Sequence, residues 1–99
     1  MQFKTYPLAK DELIVAISSE HKLSQRDKLT LNDIKNENFI LMNPYTSIYK
    51  LCINKLKENN IDANIIRTAR TESIIGSVAI NEGISLLPKV ILKYFIKKI

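Results

Sequence analysis

Residues 78–88 read Val78-Ala79-Ile80-Asn81-Glu82-Gly83-Ile84-Ser85-Leu86-Leu87-Pro88. Val78 and Ala79 continue an apolar stripe begun by Ile74 and Ile75, at the spacing of one helix face. Asn81 and Gly83 end that helix, because Asn and Gly enter the left-handed conformation at least cost. Ile84-Ser85-Leu86-Leu87 follows as a short buried strand. Pro88 fits the first turn of a final helix carrying Val90, Ile91, Tyr94 and Phe95. A helix that passes directly into a buried strand is the repeating unit of an α/β fold.

The same unit recurs upstream. Thr71 stands where it can cap the helix of Ile74 to Ala79, and Asn64-Ile65-Ile66-Arg67-Thr68 before it reads as a strand. From Thr46 the spacing is again helical. Ile48, Cys52 and Leu56 form one stripe, Tyr49 and Ile53 widen it, and Asn59-Asn60 stop it. Phe39-Ile40-Leu41-Met42 is a short apolar strand closed by the turn Asn43-Pro44. A short helix is predicted over about 31–37, with Thr30 and Asp33 as a capping box and Leu29 and Ile34 as a staple. Ser18 to Lys28 reads as a loop. Asp11 to Ile17 reads as a strand ending in the continuous apolar run Leu13–Ile17, which suits a strand covered on both faces, as in a parallel sheet. The alternation of four strands and four helices predicts one α/β domain over residues 1–99. It has a mostly parallel sheet of four to five strands flanked by helices.

Composition agrees with one folded domain. The chain has 99 residues, 45% hydrophobic and 25% charged. A single cysteine excludes an internal disulfide framework, and with a single histidine it is a poor basis for a zinc site. The longest apolar run is far too short to span a bilayer and no signal-peptide stretch follows Met1, so a cytoplasmic location without membrane contact is expected. Net charge is +5. Residues 1–50 carry 7 basic and 6 acidic groups, residues 51–99 carry 8 and 4. Twelve of the fifteen cations are Lys, Trp is absent, and no Arg and aromatic residues interleave as in a base-stacking surface. The excess charge reads as a solvated Lys-rich face.

Two loops run from the carboxyl end of a strand into a helix: Asn43-Pro44-Tyr45-Thr46-Ser47 and Ala69-Arg70-Thr71-Glu72. In an open parallel sheet such loops share one edge, where ligands bind. Each helix start offers unpaired N–H groups and the positive end of a dipole. Thr46 and Ser47 add hydroxyls, Tyr45 a flat apolar wall, Pro44 stiffness and Arg70 a positive charge. A carboxylate, sulfate or phosphate group is the expected ligand, although Ser and Thr at a helix start serve also as plain caps. Catalytic machinery is missing. Cys52 lies mid-helix on the apolar stripe, His21 sits in the charged loop Ser18-Ser19-Glu20-His21-Lys22 as a solvated or loop-bracing residue, and the two glycines make no phosphate-binding loop. No metal, cofactor or enzymatic activity is expected.

Taken together, these segments resemble the LysR-type transcriptional regulators. Val78 to Pro88 looks like their "VaaGlGialLP" signature, Pro7 to Val15 like "l..d.lvlv", Glu20-His21-Lys22-Leu23 like "hHPL" and Leu29 to Ile34 like "isledL". The order is kept over roughly residues 5–95, with Lys22 in place of the family's Pro and Asn81 in place of its first Gly. The resemblance implies the second subdomain of an effector-binding domain similar to type II periplasmic binding proteins. It implies a small-molecule effector in a cleft between two subdomains, contacted by Asn43, Pro44, Tyr45, Thr46 and Ser47. It also implies a homodimer, with the helix of 46–60 as a candidate surface. Operator DNA would be met only through a winged helix-turn-helix domain that these residues do not include, and the first regulatory subdomain is absent as well. The chain thus reads as a piece of a longer regulator. Two other roles stay open: a dimerisation module without its own ligand, and an enzyme or transport-related binding fold on the same architecture.

Overall fold

The computed structural model describes residues 3–8 and 13–91. Its elements run β1 (Phe3–Pro7), β2 (Leu13–Ser18), β3 (Asn38–Met42), α1 (Ser47–Glu58), β4 (Asn64–Ala69), α2 (Thr71–Ala79) and β5 (Ser85–Pro88). Two 3-10 turns, Lys22–Gln25 and Asn32–Ile34, lie between β2 and β3. β1, β2 and β5 form one sheet in that order, and β3 and β4 form a second. A parallel bridge between Phe39 and Ile84 joins them. Ile40 N donates to Ile84 O and Ile84 N to Asn38 O, both at 2.8 Å.

Every residue of β2 is buried, and its successive side chains feed two cores. Leu13, Val15 and Ile17 join Tyr6, Phe39, Leu41, Ile84 and Leu86 on one side. Ile14 and Ala16 join Phe3, Ile40 and Leu87 on the other. Helix α1 closes the first core with Cys52 and Leu56, and α2 closes the second with Ile74 and Val78. The extra width of the α1 stripe is used there: Ile48, Tyr49 and Ile53 pack against the same core. Each fully buried Leu, Ile or Phe contributes about 1.5–3 kcal/mol, so the two clusters hold the three layers together.

The sheet is mixed, not mostly parallel. β2 runs antiparallel to both β1 and β5, while β3 and β4 are parallel. A continuous apolar run reports burial on two faces and says nothing about direction. Direction follows from the connections. Only a short link separates β1 from β2, and the segment from β2 to β3 holds no crossover helix, whereas α1 carries the chain from β3 to β4. β1 itself was not foreseen in the sequence. It pairs with β2 alone, and such an edge position tolerates Pro7, which has no N–H to donate.

Several boundaries also differ from expectation. Thr30 and Asp33 do form the capping box: Thr30 N donates to Asp33 Oδ2 at 2.9 Å and Asp33 N to Thr30 Oγ1 at 3.3 Å. These bonds from Thr30, with a smaller contribution from Arg26, hold the Asp33 carboxyl below the usual carboxylate range. Yet the box starts only a 3-10 turn, because the chain enters β3 at Asn38. The supposed loop of residues 18–28 contains the other turn. It is braced from β1, where Tyr6 Oη donates to Arg26 O at 2.8 Å and Lys4 Nζ to Ser24 O at 3.0 Å. Pro88 ends β5 opposite Leu13 instead of opening a helix. The remainder of that helix, with Tyr94 and Phe95, and the strand start at Asp11 and Glu12 lie outside the described residues.

The helix stops act as read, with one change of mechanism. Asn60 and Asn81 have φ of 58° and 65°, the left-handed region that Asn tolerates. Gly83 has no positive φ. Its requirement is steric, since an added Cβ would lie 2.9 Å from the Asn38 carbonyl oxygen and 3.3 Å from the Ile40 side chain. Gly83→Ala therefore costs about 1–3 kcal/mol by forcing β5 away from β3. Gly76, mid-helix in α2, would meet nothing described within 4 Å, so Gly76→Ala gains about 0.5–1 kcal/mol. Urea unfolding midpoints of the two variants should move in opposite directions.

Candidate functional site

The register of β3 and β4 ends at Met42 opposite Ala69. The chain leaves both strands at the same edge and turns at once into α1 and α2. Parallel pairing thus sets two helix N-termini side by side, each with first-turn N–H groups that have no partner within the helix. A direct contact ties the two exits, because Thr71 Oγ1 lies 3.2 Å from Met42 Sδ as a weak donor to sulfur.

The first loop is held by its own bonds. Thr46 N donates to Asn43 O at 3.0 Å, which closes a turn over Pro44 and Tyr45. Thr46 Oγ1 donates to the same carbonyl at 2.7 Å and accepts from Tyr49 N at 3.1 Å. Thr46 is therefore the N-cap of α1. Its one hydroxyl proton is already used, so an anion at this edge would find its donors in Ser47 and the first-turn backbone. Asn43 Nδ2 donates to Tyr45 Oη at 3.3 Å. The Tyr45 side chain is otherwise outside the fold, 81% exposed, while Pro44 and Ser47 are exposed beside it.

The second loop differs from expectation at its cap. Arg70, not Thr71, occupies the N-cap position of α2, and no side chain caps that helix. Thr71 is the first helical residue and is buried against Met42. Arg70 is exposed, as is Glu72, which sits in the first turn of α2 and faces the helix dipole favourably. The seven residues singled out in the sequence (Asn43, Pro44, Tyr45, Thr46, Ser47, Arg70 and Thr71) thus flank one sheet edge. Their local roles divide: Thr46 and Thr71 hold the loops, while Tyr45, Ser47 and Arg70 are open to a ligand.

The opposite edge carries a feature that sequence spacing did not reveal. His21, Lys22, Glu37, Asn38, Asn81, Glu82 and Gly83 line an open depression of about 370 Å³. His21 is buried here rather than solvated. Its Nε2 lies 2.6 Å from Glu37 Oε1, and its Nδ1 accepts from Leu23 N at 2.9 Å. That pair of contacts makes it a loop brace across 16 residues, a separation no local motif announces. Glu82 is engaged with Arg67 at 3.6 Å, and Arg67 also donates to Ser77 Oγ. The polar groups of the depression thus stabilise the junction of β2, β3 and β5.

Cys52 is fully buried, with Sγ 3.5 Å from Leu86 O. Burial pushes its thiol up to about 12, so it stays protonated and unreactive at neutral pH. Among the described residues no group of three His, Cys, Asp or Glu could hold a metal ion, and no helix is long and apolar enough to cross a membrane.

Comparison with known proteins places these features in a wider group. The family described as LysR substrate binding domain matches residues 2–98. An HTH-type transcriptional regulator of Bacillus subtilis (strain 168), YybE, is 35% identical over 83 residues, which is 82% of this chain and 28% of the relative. The effector binding domain of QuiR in complex with shikimate aligns with a TM-score of 0.74 at 27% identity, covering 89% of this chain and 43% of that one. The effector binding domain of BenM with its effector benzoate aligns with a TM-score of 0.70 at 29% identity, covering 88% and 41%. The chain spans just over a quarter of the curated relative and less than half of either solved domain.

Two outcomes follow from this geometry. Thr46→Ala should lower stability by about 1 kcal/mol through loss of the cap, with Thr46→Ser restoring most of it in thermal unfolding. Cys52 should resist iodoacetamide in the native protein at pH 8 and become labelled only as the domain unfolds.

Proposed function

Since this chain belongs to the LysR substrate-binding domain family, we propose that it senses a small anionic effector at the carboxyl edge of β3 and β4 for a transcriptional regulator. The observation that supports this reading most is the parallel exit of β3 and β4 from Met42 and Ala69 into two adjacent helix starts. Such an edge is where open α/β sheets bind ligands, and helix N-termini favour negative charge. The α2 start lacks a side-chain cap, so its N–H groups are available to an outside acceptor. Arg70 adds a positive charge, and Glu72 opposes a second negative charge on the ligand. The balance favours a monoanion. The structural neighbours named with a ligand bind shikimate and benzoate, both monocarboxylates, which fits a carboxylate better than sulfate or phosphate.

The proposed mechanism is differential binding, without catalysis or a cofactor. The effector sits between this edge and a second subdomain, and is held most tightly when the two are at one particular angle. Its binding then shifts the population toward that angle. A homodimer would pass the shift to the DNA-binding domains, which alone meet operator DNA. The protein works in the cytoplasm in this reading and has no membrane partner. Leu51, 44% exposed on α1, is the apolar residue of that helix left outside the core and fits a place in the dimer contact.

Amide NMR titration of the chain with acetate, benzoate, sulfate and phosphate tests the reading. Saturable shifts at residues 43–48 and 70–73, larger for carboxylates, are expected. Shifts confined to the His21 and Glu37 depression would move the site to the other edge. A mass that doubles with concentration, with no shift for any anion, would favour a dimerisation module without its own ligand.

A further inference from the structure

We propose that His21 is a proton-operated latch on the loop between β2 and β3: the neutral ring holds the amide of Leu23, and a second proton on the ring releases it. The device lies at the edge opposite the proposed effector site and stands or falls independently of that reading.

The contacts of His21 leave it one tautomer. Leu23 N is a backbone N–H and can only donate, so Nδ1, which receives it at 2.9 Å, carries no proton. The ring proton is therefore on Nε2 and is donated to Glu37 Oε1 at 2.6 Å. Both nitrogens of the buried neutral ring are thus in use. A second proton must enter at Nδ1, where two N–H groups would then face each other. The contact with Glu37 survives that change and the bond from Leu23 does not. That bond is the side-chain cap of the turn Lys22–Gln25, so its loss frees the start of the turn. The rest of the loop stays anchored, because Leu23 O still accepts from Arg26 N at 3.1 Å and Tyr6 Oη still donates to Arg26 O at 2.8 Å. Release is local for this reason.

The charges around the ring admit the proton. Glu37 faces it directly, and Glu82, which follows α2 and pairs with Arg67 of β4, lines the same depression. Both carboxylates favour an imidazolium, whereas burial opposes it. Lys22 opposes it too, but its Nζ lies 4.0 Å from Glu37 Oε2 and its side chain is 80% exposed, so it can withdraw into water as the ring takes over the carboxylate. Glu20, the residue before His21, is exposed. β2, packed against the turn, brings no charged residue, and Asn38 and Asn81 are neutral. His21 is the single histidine of the chain, and histidine is the side chain that ordinarily changes charge between about pH 5 and 8. One group therefore carries the response.

The test is NMR of the whole chain from pH 8 to pH 5. Nitrogen spectra of the imidazole read its tautomer, and hydrogen exchange reads the Leu23 amide. At pH 8 the ring should be in its Nε2–H form; an Nδ1–H form would overturn the proposal. On acidification the Leu23 protection factor should fall roughly 3- to 10-fold, the loss of one hydrogen bond. The fall should share the midpoint of the ring signals and leave the amides of β3 and β5 unchanged. An unaltered Leu23 amide, or protection lost throughout the domain, would refute the latch. His21→Asn offers an oxygen to Leu23 N and cannot titrate, so its Leu23 amide should stay protected at both pH values. A transition that survives this substitution would also overturn the proposal. Should that variant not fold, Glu37→Gln keeps the ring and its cap. It should move the transition to lower pH with Leu23 still following the ring, and a Leu23 response out of step with the ring would sink the idea.

Discussion

Burial of the central strands on both faces is the constraint on which the rest of this structure depends. β2 exposes nothing, and β3 and β5 are nearly as covered. A sheet with two apolar faces must be roofed twice, and alternate residues of one strand must serve separate cores. Leu13, Val15 and Ile17 look toward α1, and Ile14 and Ala16 toward α2. Each helix therefore needs only a single apolar stripe. The close approach at Gly83 lets β5 lie against β3 and make the two sheets continuous. Without that contact the antiparallel half and the parallel half would be separate pieces with open edges between them.

The proposed effector edge is a consequence of the parallel half. α1 returns the chain so that β3 and β4 run together, and both then release into helices at one end. The two starts are finished differently. α1 has a Thr46 cap that also closes its own loop, and α2 has none. The bonds that stabilise the first loop use the Thr46 hydroxyl proton, while the second start has no side-chain cap. The opposite edge is organised another way: His21, Glu37, Arg67 and Glu82 bond to one another or to nearby loops and serve the junction of strands.

How much was legible in the residues varied with the range of the interaction. The stop at Asn81, the Thr30 and Asp33 box, the cap at Thr46 and the apolar character of Cys52 are local matters, settled within four or five residues of chain, and the structure agrees with each. The resemblance to LysR-type regulators was legible for the same reason, because order and spacing are properties of the chain. The direction of β2 was not legible, since an apolar run looks the same in either direction. β1 was missed because Phe3, Thr5 and Tyr6 mix with Lys4 and Pro7 and give no strand period. The Thr71 cap was misplaced by one residue, since only the exit angle of β4 decides which residue is last to stay extended.

The amino-acid sequence by itself determined where most elements lie, which face of each helix is apolar, where the helices end, and the family to which the chain belongs. Local sterics, hydrogen bonding and periodicity suffice for all of these. Tertiary structure alone decided the mixed sense of the sheet and the burial of His21 against a residue 16 positions away, whereas the shared edge of residues 43–47 and 70–71 was expected from the sequence and needed only the parallel pairing of β3 with β4. Those outcomes depend on which strands become neighbours. That choice is made by the packing of two cores at once and is written in no single stretch of chain.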